Sequence, residues 1–154
     1  MLINDSKTLI TAYRWIEKHC GLLDEFVYKQ AINFGPSPEF CSTYDVTTNI
    51  IDLIERKNRL INLKLIIDEL IEGLNIQDKK IILARMRYNL NMETFCKLMS
   101  IPSLRTGFRQ INKALQHFTI HANNSPYKEK LEHILREEYW ISNIRKNMNE
   151  KVCS

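Results

Sequence analysis

The sequence predicts an all-α protein, and three observations lead to this fold class. Long runs rich in Ile and Leu repeat at helical spacing along most of the chain. The 154 residues include only four Gly and four Pro, so few positions interrupt a helix. No stretch of convincing length alternates apolar and polar residues as a half-buried strand does. The composition, 44% hydrophobic and 26% charged, is typical of a globular protein that buries a core.

The chain is expected to begin with two helices and a long loop. An apolar face over residues 5–20 predicts the first helix, which is expected to end at Gly21. A second helix is predicted over residues 22–34, because no helix can traverse the Gly-Pro-Ser-Pro sequence at 35–38. Residues 35–48 are then the longest expected loop.

A long hydrophobic helix is predicted from residue 49 or 50 to about Leu74. Its heptad positions are Leu53, Leu60, Ile67 and Leu74, with Leu63 and Leu70 between them. A second apolar flank consists of Ile50, Ile54, Ile61, Ile66 and Ile71. A helix with two apolar flanks needs more than one partner. Either the chain's own helices bury it, or residues 50–74 pair with a second copy in a homodimer. The sequence leaves both interpretations open.

Residues 78–118 predict three further short helices. The first covers residues 78–88 and is followed by a turn at Asn89 and Asn91, and Asn91 is expected to cap the second helix. The second helix ends before Pro102, which disfavours a helical conformation in the residue before it. Its apolar residues are Met92, Phe95, Cys96, Leu98 and Met99.

The third of these helices has two contrasting faces. Ser103 is expected to cap it. An apolar stripe is predicted at Leu104, Phe108, Ile111, Leu115 and Phe118. The opposite face carries Arg105, Thr106, Arg109, Gln110, Asn112, Lys113 and Gln116. Gly107 lies inside this helix, where a glycine costs about 1 kcal/mol relative to Ala.

The polar face has the chemistry that a helix needs in the DNA major groove. Arg and Lys bind phosphates and guanine edges, and Asn and Gln bind adenine edges. Residues 79–118 contain eight basic residues against one acid, Glu93, so this segment carries a charge of +7. The whole chain carries only +4, so the remainder is net acidic at −3. Positive charge concentrated in about a quarter of the chain indicates a polyanionic partner.

The last part of the chain predicts one more helix. Periodicity is lost from Thr119 to Asn124, and Ser125-Pro126 then offers a helix start. The apolar residues of this last helix are Tyr127, Leu131, Ile134, Leu135, Ile141, Ile144 and Met148, with Tyr139 and Trp140 adding bulk. It is expected to pack on the core or to form an interface with a second subunit or another protein.

These elements predict four regions. Residues 1–48 form an N-terminal helical region with a loop, and residues 49–75 form the long core or dimerisation helix. Residues 76–120 form a helix-turn-helix DNA-binding domain, entered through a hinge at Gly73 and Asn75, and residues 121–154 form a C-terminal helical extension.

A family resemblance covers about 40 residues of the chain. The stretch that carries it is DKKIILARMRYNLNMETFCKLMSIPSLRTGFRQINKALQHF. It resembles region four of bacterial sigma factors and the sigma-like C-terminal domains of phage transcription regulators of the ArpU and RinA type. The matching positions are the Arg-Tyr end of Ala84–Tyr88, the small residue Cys96, the turn residue Ile101, and Ala114-Leu115.

The resemblance implies a sequence-specific, DNA-binding transcription regulator of phage or mobile-element type, with double-stranded DNA as its partner. The residues expected to contact DNA are Ser103, Arg105, Thr106, Arg109, Gln110, Asn112 and Lys113, with Lys97 and Arg87 nearer the backbone. Three alternatives stay open. The chain is a sigma-like factor that acts through RNA polymerase, a phage packaging protein like a small terminase subunit, or a helical module that binds only proteins.

Nothing in the sequence indicates catalysis or a cofactor. There is no Gly-rich phosphate loop, and the adjacent His19 and Cys20 point about 100° apart on a helix, so they cannot act as base and nucleophile. His117 and His121 have metal-ligand spacing but no third ligand in sequence, so no metal site is expected. The four cysteines form no C-x-x-C pair, and no segment has the apolar length of a membrane span. A cytoplasmic protein with reduced thiols is therefore expected.

Overall fold

The described part of the chain is built from seven α-helices. The computed structural model describes residues 1–32 and 43–150, and of residues 43, 86, 87, 149 and 150 only the backbone. In chain order the helices are Ile3–Ile32 (α1), Thr43–Glu72 (α2), Ile76–Ile82 (α3), Met92–Leu98 (α4), Leu104–Asn124 (α5), Lys128–Glu137 (α6) and Tyr139–Glu150 (α7). A π-helical turn, Leu83–Arg87, follows α3. These ranges contain no strand, so the predicted all-α fold class is confirmed. None of these helices combines the length and the apolar character needed to cross a bilayer.

Packing contacts divide the chain into two compact units. The first unit consists of Met1–Arg14 together with Ile66–Ser154, and the second unit is Trp15–Leu65.

The first helix is longer than predicted. α1 runs through Gly21, so the prediction that Gly21 ends this helix and a new one starts at residue 22 is wrong. Gly21 is exposed, and a Cβ there would meet no atom within 4 Å. A glycine inside a helix costs about 1 kcal/mol relative to Ala. Ile16 and Leu23 are both buried, and burying each of them contributes about 1.5–3 kcal/mol, which outweighs that cost.

The long hydrophobic helix also begins earlier than predicted. α2 starts at Thr43, so residues 43–48 are helical and not part of a loop. These residues (Thr, Tyr, Asp and Val) have only modest helix penalties, up to about 0.7 kcal/mol each, and a helix anchored further along extends through them. The rest of the predicted loop and the predicted helix end at residues 33–38 lie outside the described residues.

Within the second unit, the α1 and α2 segments run antiparallel. Lys57 lies 2.6 Å from Asp24, and Lys64 pairs with Glu17. From the first pair to the second, the residue number increases by seven on α2 and decreases by seven on α1. Two neighbouring helices show this pattern when they run antiparallel. Exposed ion pairs of this kind contribute little stability, so they mark the register more than they hold it.

The middle of the predicted heptad seam is buried in the single chain, whereas its end positions Leu53 and Leu74 are half-buried. Leu60, Leu63, Ile67 and Leu70 are almost fully shielded from solvent. For these residues the interpretation as the chain's own core is therefore confirmed. Only part of the second apolar flank is buried: Ile66 and Ile71 are buried, whereas Ile54 and Ile61 are exposed.

α5 is the central helix of the first unit. It contacts α3, α4 and α6, and its buried residues are Gly107, Ala114, Leu115, Phe118, Thr119 and Ala122. The predicted loss of helix after Phe118 is wrong, because α5 continues to Asn124. Small residues continue the buried face where the sequence shows no large apolar side chain. The Thr119 hydroxyl lies 2.8 Å from Ser6 Oγ of α1 and 2.7 Å from the Leu115 carbonyl oxygen, so this buried polar group is satisfied.

The C-terminal region contains two helices where one was predicted. Glu138 takes an extended conformation (φ −80°, ψ 104°) and separates α6 from α7. No Pro or Gly lies at this break, and the apolar spacing continues across it, so the sequence predicts a single helix. The break allows Leu131 and Leu135 of α6 and Ile141 of α7 all to be buried. Arg145 of α7 also donates a 2.7 Å hydrogen bond from Nε to the buried carboxylate of Asp5 in α1.

Two phenylalanines on α5 test how this helix is packed. Phe118 is 0% exposed and Phe108 is 54% exposed. We expect Phe118→Ala to lower the free energy of unfolding by about 3–5 kcal/mol, because it leaves a cavity in the core. Phe108→Ala, the matched control on the same helix, is expected to cost less than about 1 kcal/mol. Urea denaturation followed by circular dichroism measures both, and equal losses would contradict the packing described.

Candidate nucleic-acid interface

Three side-chain caps define the helix starts between residues 75 and 125. Asn75 accepts a hydrogen bond from the Asp78 amide (2.9 Å) and caps α3. The predicted caps are confirmed, because Asn91 accepts from the Thr94 amide (2.8 Å) and Ser103 accepts from the Thr106 amide (3.2 Å). Each cap satisfies a backbone donor that the helix itself leaves unpaired.

The turn between α4 and α5 has a defined geometry. Ser100 lies in the left-handed region with φ 54°. The Ile101 amide donates to the Cys96 carbonyl (2.8 Å), and the Ser100 amide donates to the Lys97 carbonyl (3.2 Å). This pair of bonds is the Schellman arrangement, which ends a helix and reverses the chain direction sharply. The predicted end of the second helix before Pro102 is confirmed.

Gly107 sets the distance between α4 and α5. It is buried, and a Cβ built there would lie 2.7 Å from Cys96 Sγ and 3.1 Å from Met92 Cε. Only a glycine therefore lets the two helices approach this closely. The glycine that costs helix propensity in the sequence is a packing residue in the structure.

This close approach rotates the start of α5 relative to the predicted stripe. Leu104 and Phe108 were predicted to be buried, but both are exposed, while Gly107 between them is buried. Leu98, predicted on the apolar face of α4, is exposed as well. The stripe prediction is confirmed for Leu115 and Phe118. It fails at the first turn because a pattern that counts only large apolar residues cannot identify a glycine as the buried position.

The exposed face of α5 forms a continuous cationic and amide-rich surface, which we call the α5 face. Its members are all exposed and are Arg105, Arg109, Asn112, Lys113 and Gln116. At 100° per residue these five positions fall within a sector of about 100°, and they span about 16 Å along the axis. α5 contains no acidic residue. A face of this width and length matches a major groove about 12 Å wide.

The other predicted contact residues are placed differently. Ser103 and Thr106 belong to the α5 cap, with 3.0 Å between their hydroxyl oxygens. Gln110 is half-buried, and its Oε1 is enclosed without a hydrogen-bond partner in the described part of the chain. Lys97 is exposed on α4. The side chain of Arg87 lies outside what the structure describes.

A carboxylate that the sequence analysis missed lies beside His117. Asp78 of α3 is buried, and its Oδ2 lies 2.5 Å from His117 Nδ1 of α5. The two residues are 39 positions apart, so no local pattern connects them. No group of three metal-ligand residues converges here or elsewhere in the described ranges. The pair joins α3 to α5.

The structure also brings residues of α1 beside α5. Lys7, Thr11 and Arg14 occupy successive turns of α1, and together with Asn112 of α5 they line a common cleft. Their i, i+4, i+7 spacing marks a shared polar face in the sequence. The partner of that face was not readable from the sequence, because more than 90 residues separate it from α5.

Comparisons of the chain with protein-family models, with curated proteins and with solved structures found no match.

A pair of glycine substitutions tests the packing of α4 on α5. Gly21→Ala fills open space in a helix, so we expect it to raise the free energy of unfolding by up to about 1 kcal/mol. Gly107→Ala gains the same propensity but forces Cys96 to move, and we expect a net loss of about 1–3 kcal/mol. Chemical denaturation of both variants provides the comparison.

The loss at Gly107 should shrink when Cys96→Ala is present in the same chain, because the atom that clashes is then absent. Stabilisation at both glycines, or an unchanged loss in the Cys96→Ala background, would contradict the close approach.

Proposed function

We propose that the protein is a sequence-specific DNA-binding transcription regulator and that α5 is its recognition helix. The observation that carries this proposal is the α5 face: two arginines, one lysine and two amides within one sector of a helix that has no acid. The resemblance of residues 78–118 to sigma region four supports the same assignment. An amphipathic surface helix ordinarily exposes charges of both signs, and it is the absence of acids that sets α5 apart.

The residue types on the α5 face suggest separate roles. Arg105 and Arg109 lie near the start of α5, the part of a recognition helix that contacts base edges, and an arginine binds guanine O6 and N7 with two hydrogen bonds. Asn112 and Gln116 carry the amides that pair with adenine. Lys113 and Lys97 are suited to backbone phosphates, which position a protein without reading sequence.

An arginine on this face is the direct test of base reading. We expect Arg109→Ala to weaken binding to the preferred duplex by about 1–3 kcal/mol and to relax the preference at one base-pair position. Arg136→Ala is the matched control, since Arg136 is exposed on α6 and the substitution removes the same charge. Fluorescence anisotropy with the preferred duplex and its single-base variants measures both effects. An unchanged base preference in Arg109→Ala would contradict the proposal.

We also propose that the protein acts as a homodimer through α2, by a different stripe from the heptad seam predicted in residues 50–74. The middle of that seam is buried in the single chain. The exposed stripe consists of Ile51, Ile54, Asn58, Ile61 and Leu65. Ile51 is 50% exposed and Leu65 is 60% exposed, so large apolar side chains are exposed at both ends of a stripe about four turns long.

The spacing of this exposed stripe supports a second copy as the partner. Its steps of three, four, three and four residues give the a and d positions of a coiled coil, with Asn58 at the central a position. A single Asn at an a position pairs with its symmetry mate and sets register and oligomeric state at some cost in stability. A dimer would also link two α5 faces, which strengthens binding to paired DNA half-sites.

A charge placed in this stripe tests the dimer. We expect the wild-type chain to have twice the chain mass by sedimentation equilibrium. Ile61→Glu should give the mass of one chain, because a buried unpaired carboxylate at a d position opposes pairing. Ile76→Glu, exposed on α3 in the other unit, is the control and should stay dimeric. A wild-type mass of a single chain or of a larger ring would contradict the proposal.

A further inference from the structure

We propose that a cationic cleft in the first unit binds a phosphate ester. The cleft is lined by Lys7, Thr11 and Arg14 of α1, by Arg85 and Asn89 of the π turn and the loop after it, and by Phe108, Ile111, Asn112 and Leu115 of α5. We call this the α1–α5 cleft. It deepens the proposed function and in part rests on it, because the cleft adjoins the α5 face.

The charge of the cleft favours an anion. Three of its nine lining residues are basic, Lys7, Arg14 and Arg85, and none of the nine is acidic. Two buried acids of this unit are bonded to other partners: Asp78 to His117, and Asp5 to Arg145. Three cations converging on one depression raise the local positive potential, and an anion relieves their mutual repulsion.

The donors of the cleft are positioned by the backbone around them. Arg85 Nη1 donates a 2.7 Å hydrogen bond to the Leu90 carbonyl, which holds the guanidinium against the loop before α4. An arginine has five N–H donors, so this bond leaves others for a ligand. Asn89 stands next to it with φ 50°, a left-handed conformation that Asn tolerates better than most residues. The rim therefore presents both a fixed cation and an amide, and phosphate oxygens accept from both.

The size and the apolar wall indicate an ester rather than a bare phosphate ion. The cleft has a volume of about 250 Å³. One water needs only about 10–15 Å³ on the same measure, so the cleft has room for a group attached to the phosphate. Phe108, Ile111 and Leu115 form one side of the cleft, and the exposed ring of Phe108 offers a surface for a sugar or a base.

The position of the cleft connects it to the α5 face. Asn112 belongs to both, since it is exposed on that face and also lines the cleft. A nucleic-acid strand that follows α5 would therefore bring its backbone to Lys7 and Arg14, which lie outside the segment that resembles sigma region four. The shared chemistry is a sugar-phosphate, which either bound DNA or a free nucleotide supplies.

The first experiment measures DNA binding as a function of salt. Lys7 is exposed, so Lys7→Ala should leave the fold intact, and Lys130→Ala on α6 removes the same charge far along the chain as a control. We measure the affinity of each full-length variant for one duplex between 50 and 200 mM NaCl. If the cleft holds a backbone phosphate, the slope of log K against log[salt] should be shallower by about 0.9 in Lys7→Ala and unchanged in Lys130→Ala.

The second experiment uses deoxyadenosine monophosphate without DNA. Titration is followed by NMR at the side-chain amides of Asn89 and Asn112, in the wild-type chain and in Lys7→Ala. Shifts that saturate in the wild type and are lost in Lys7→Ala support a free phosphate ester as the ligand. This experiment also separates the two proposals. A wild-type chain that binds no duplex overturns the proposed function, but the nucleotide titration still tests whether the cleft binds a phosphate ester.

The two experiments together also define the result that would contradict the proposed cleft. If Lys7→Ala has the salt slope of Lys130→Ala and the nucleotide causes no saturating shifts, the assignment of the cleft is overturned.

Discussion

The structure depends on α5 burying one face completely while its opposite face stays in water. Phe118 and Leu115 are buried, and Ser6 of α1 forms a hydrogen bond with the neighbouring Thr119. Gly107 fixes the approach of α4. These contacts fix the rotation of α5 about its own axis. A rotation by the angle of one residue would expose buried core side chains and bury arginines. The same packing therefore decides which side chains reach a ligand.

Three surface features of the chain, two polar and one apolar, support the same proposal. The α5 face and the α1–α5 cleft share only Asn112, the exposed stripe of α2 shares no residue with either, and each corresponds to a distinct requirement of the DNA-binding regulator that we propose. In this proposal the α5 face would supply base-edge chemistry, the cleft would supply phosphate contacts that set position, and the stripe would pair with a second copy and so link two half-sites. The dimer proposal can fail without affecting the other two, because no residue of the α2 stripe belongs to the α5 face or to the cleft.

The caps and the main helices of this fold depend on local chemistry and could be predicted from the sequence. Features that depend on long-range packing could not. Asn91 and Ser103 were identified because a cap depends only on the next three residues, and the exposure of Arg105 and Arg109 followed from helical periodicity. The exposure of Leu104 and Phe108 could not be predicted from the apolar pattern, because it depends on how closely Cys96 packs against Gly107. Continuation of α1 through Gly21 and the break at Glu138 depend on tertiary burial, which overrides local propensity. The His117–Asp78 pair and the α1 side of the cleft join residues too distant in sequence for any spacing rule.

The central claim is that the α5 face reads a DNA sequence. Selection of bound duplexes from a random pool tests it most directly, because it assays binding, base preference and half-site spacing together. We expect the wild-type chain to enrich one common motif in two copies at a fixed spacing, and a chain with Arg105→Ala and Arg109→Ala to lose that enrichment while keeping weak, salt-sensitive binding. A wild-type selection that enriches no motif, or the same motif enriched by the double variant, would contradict the claim.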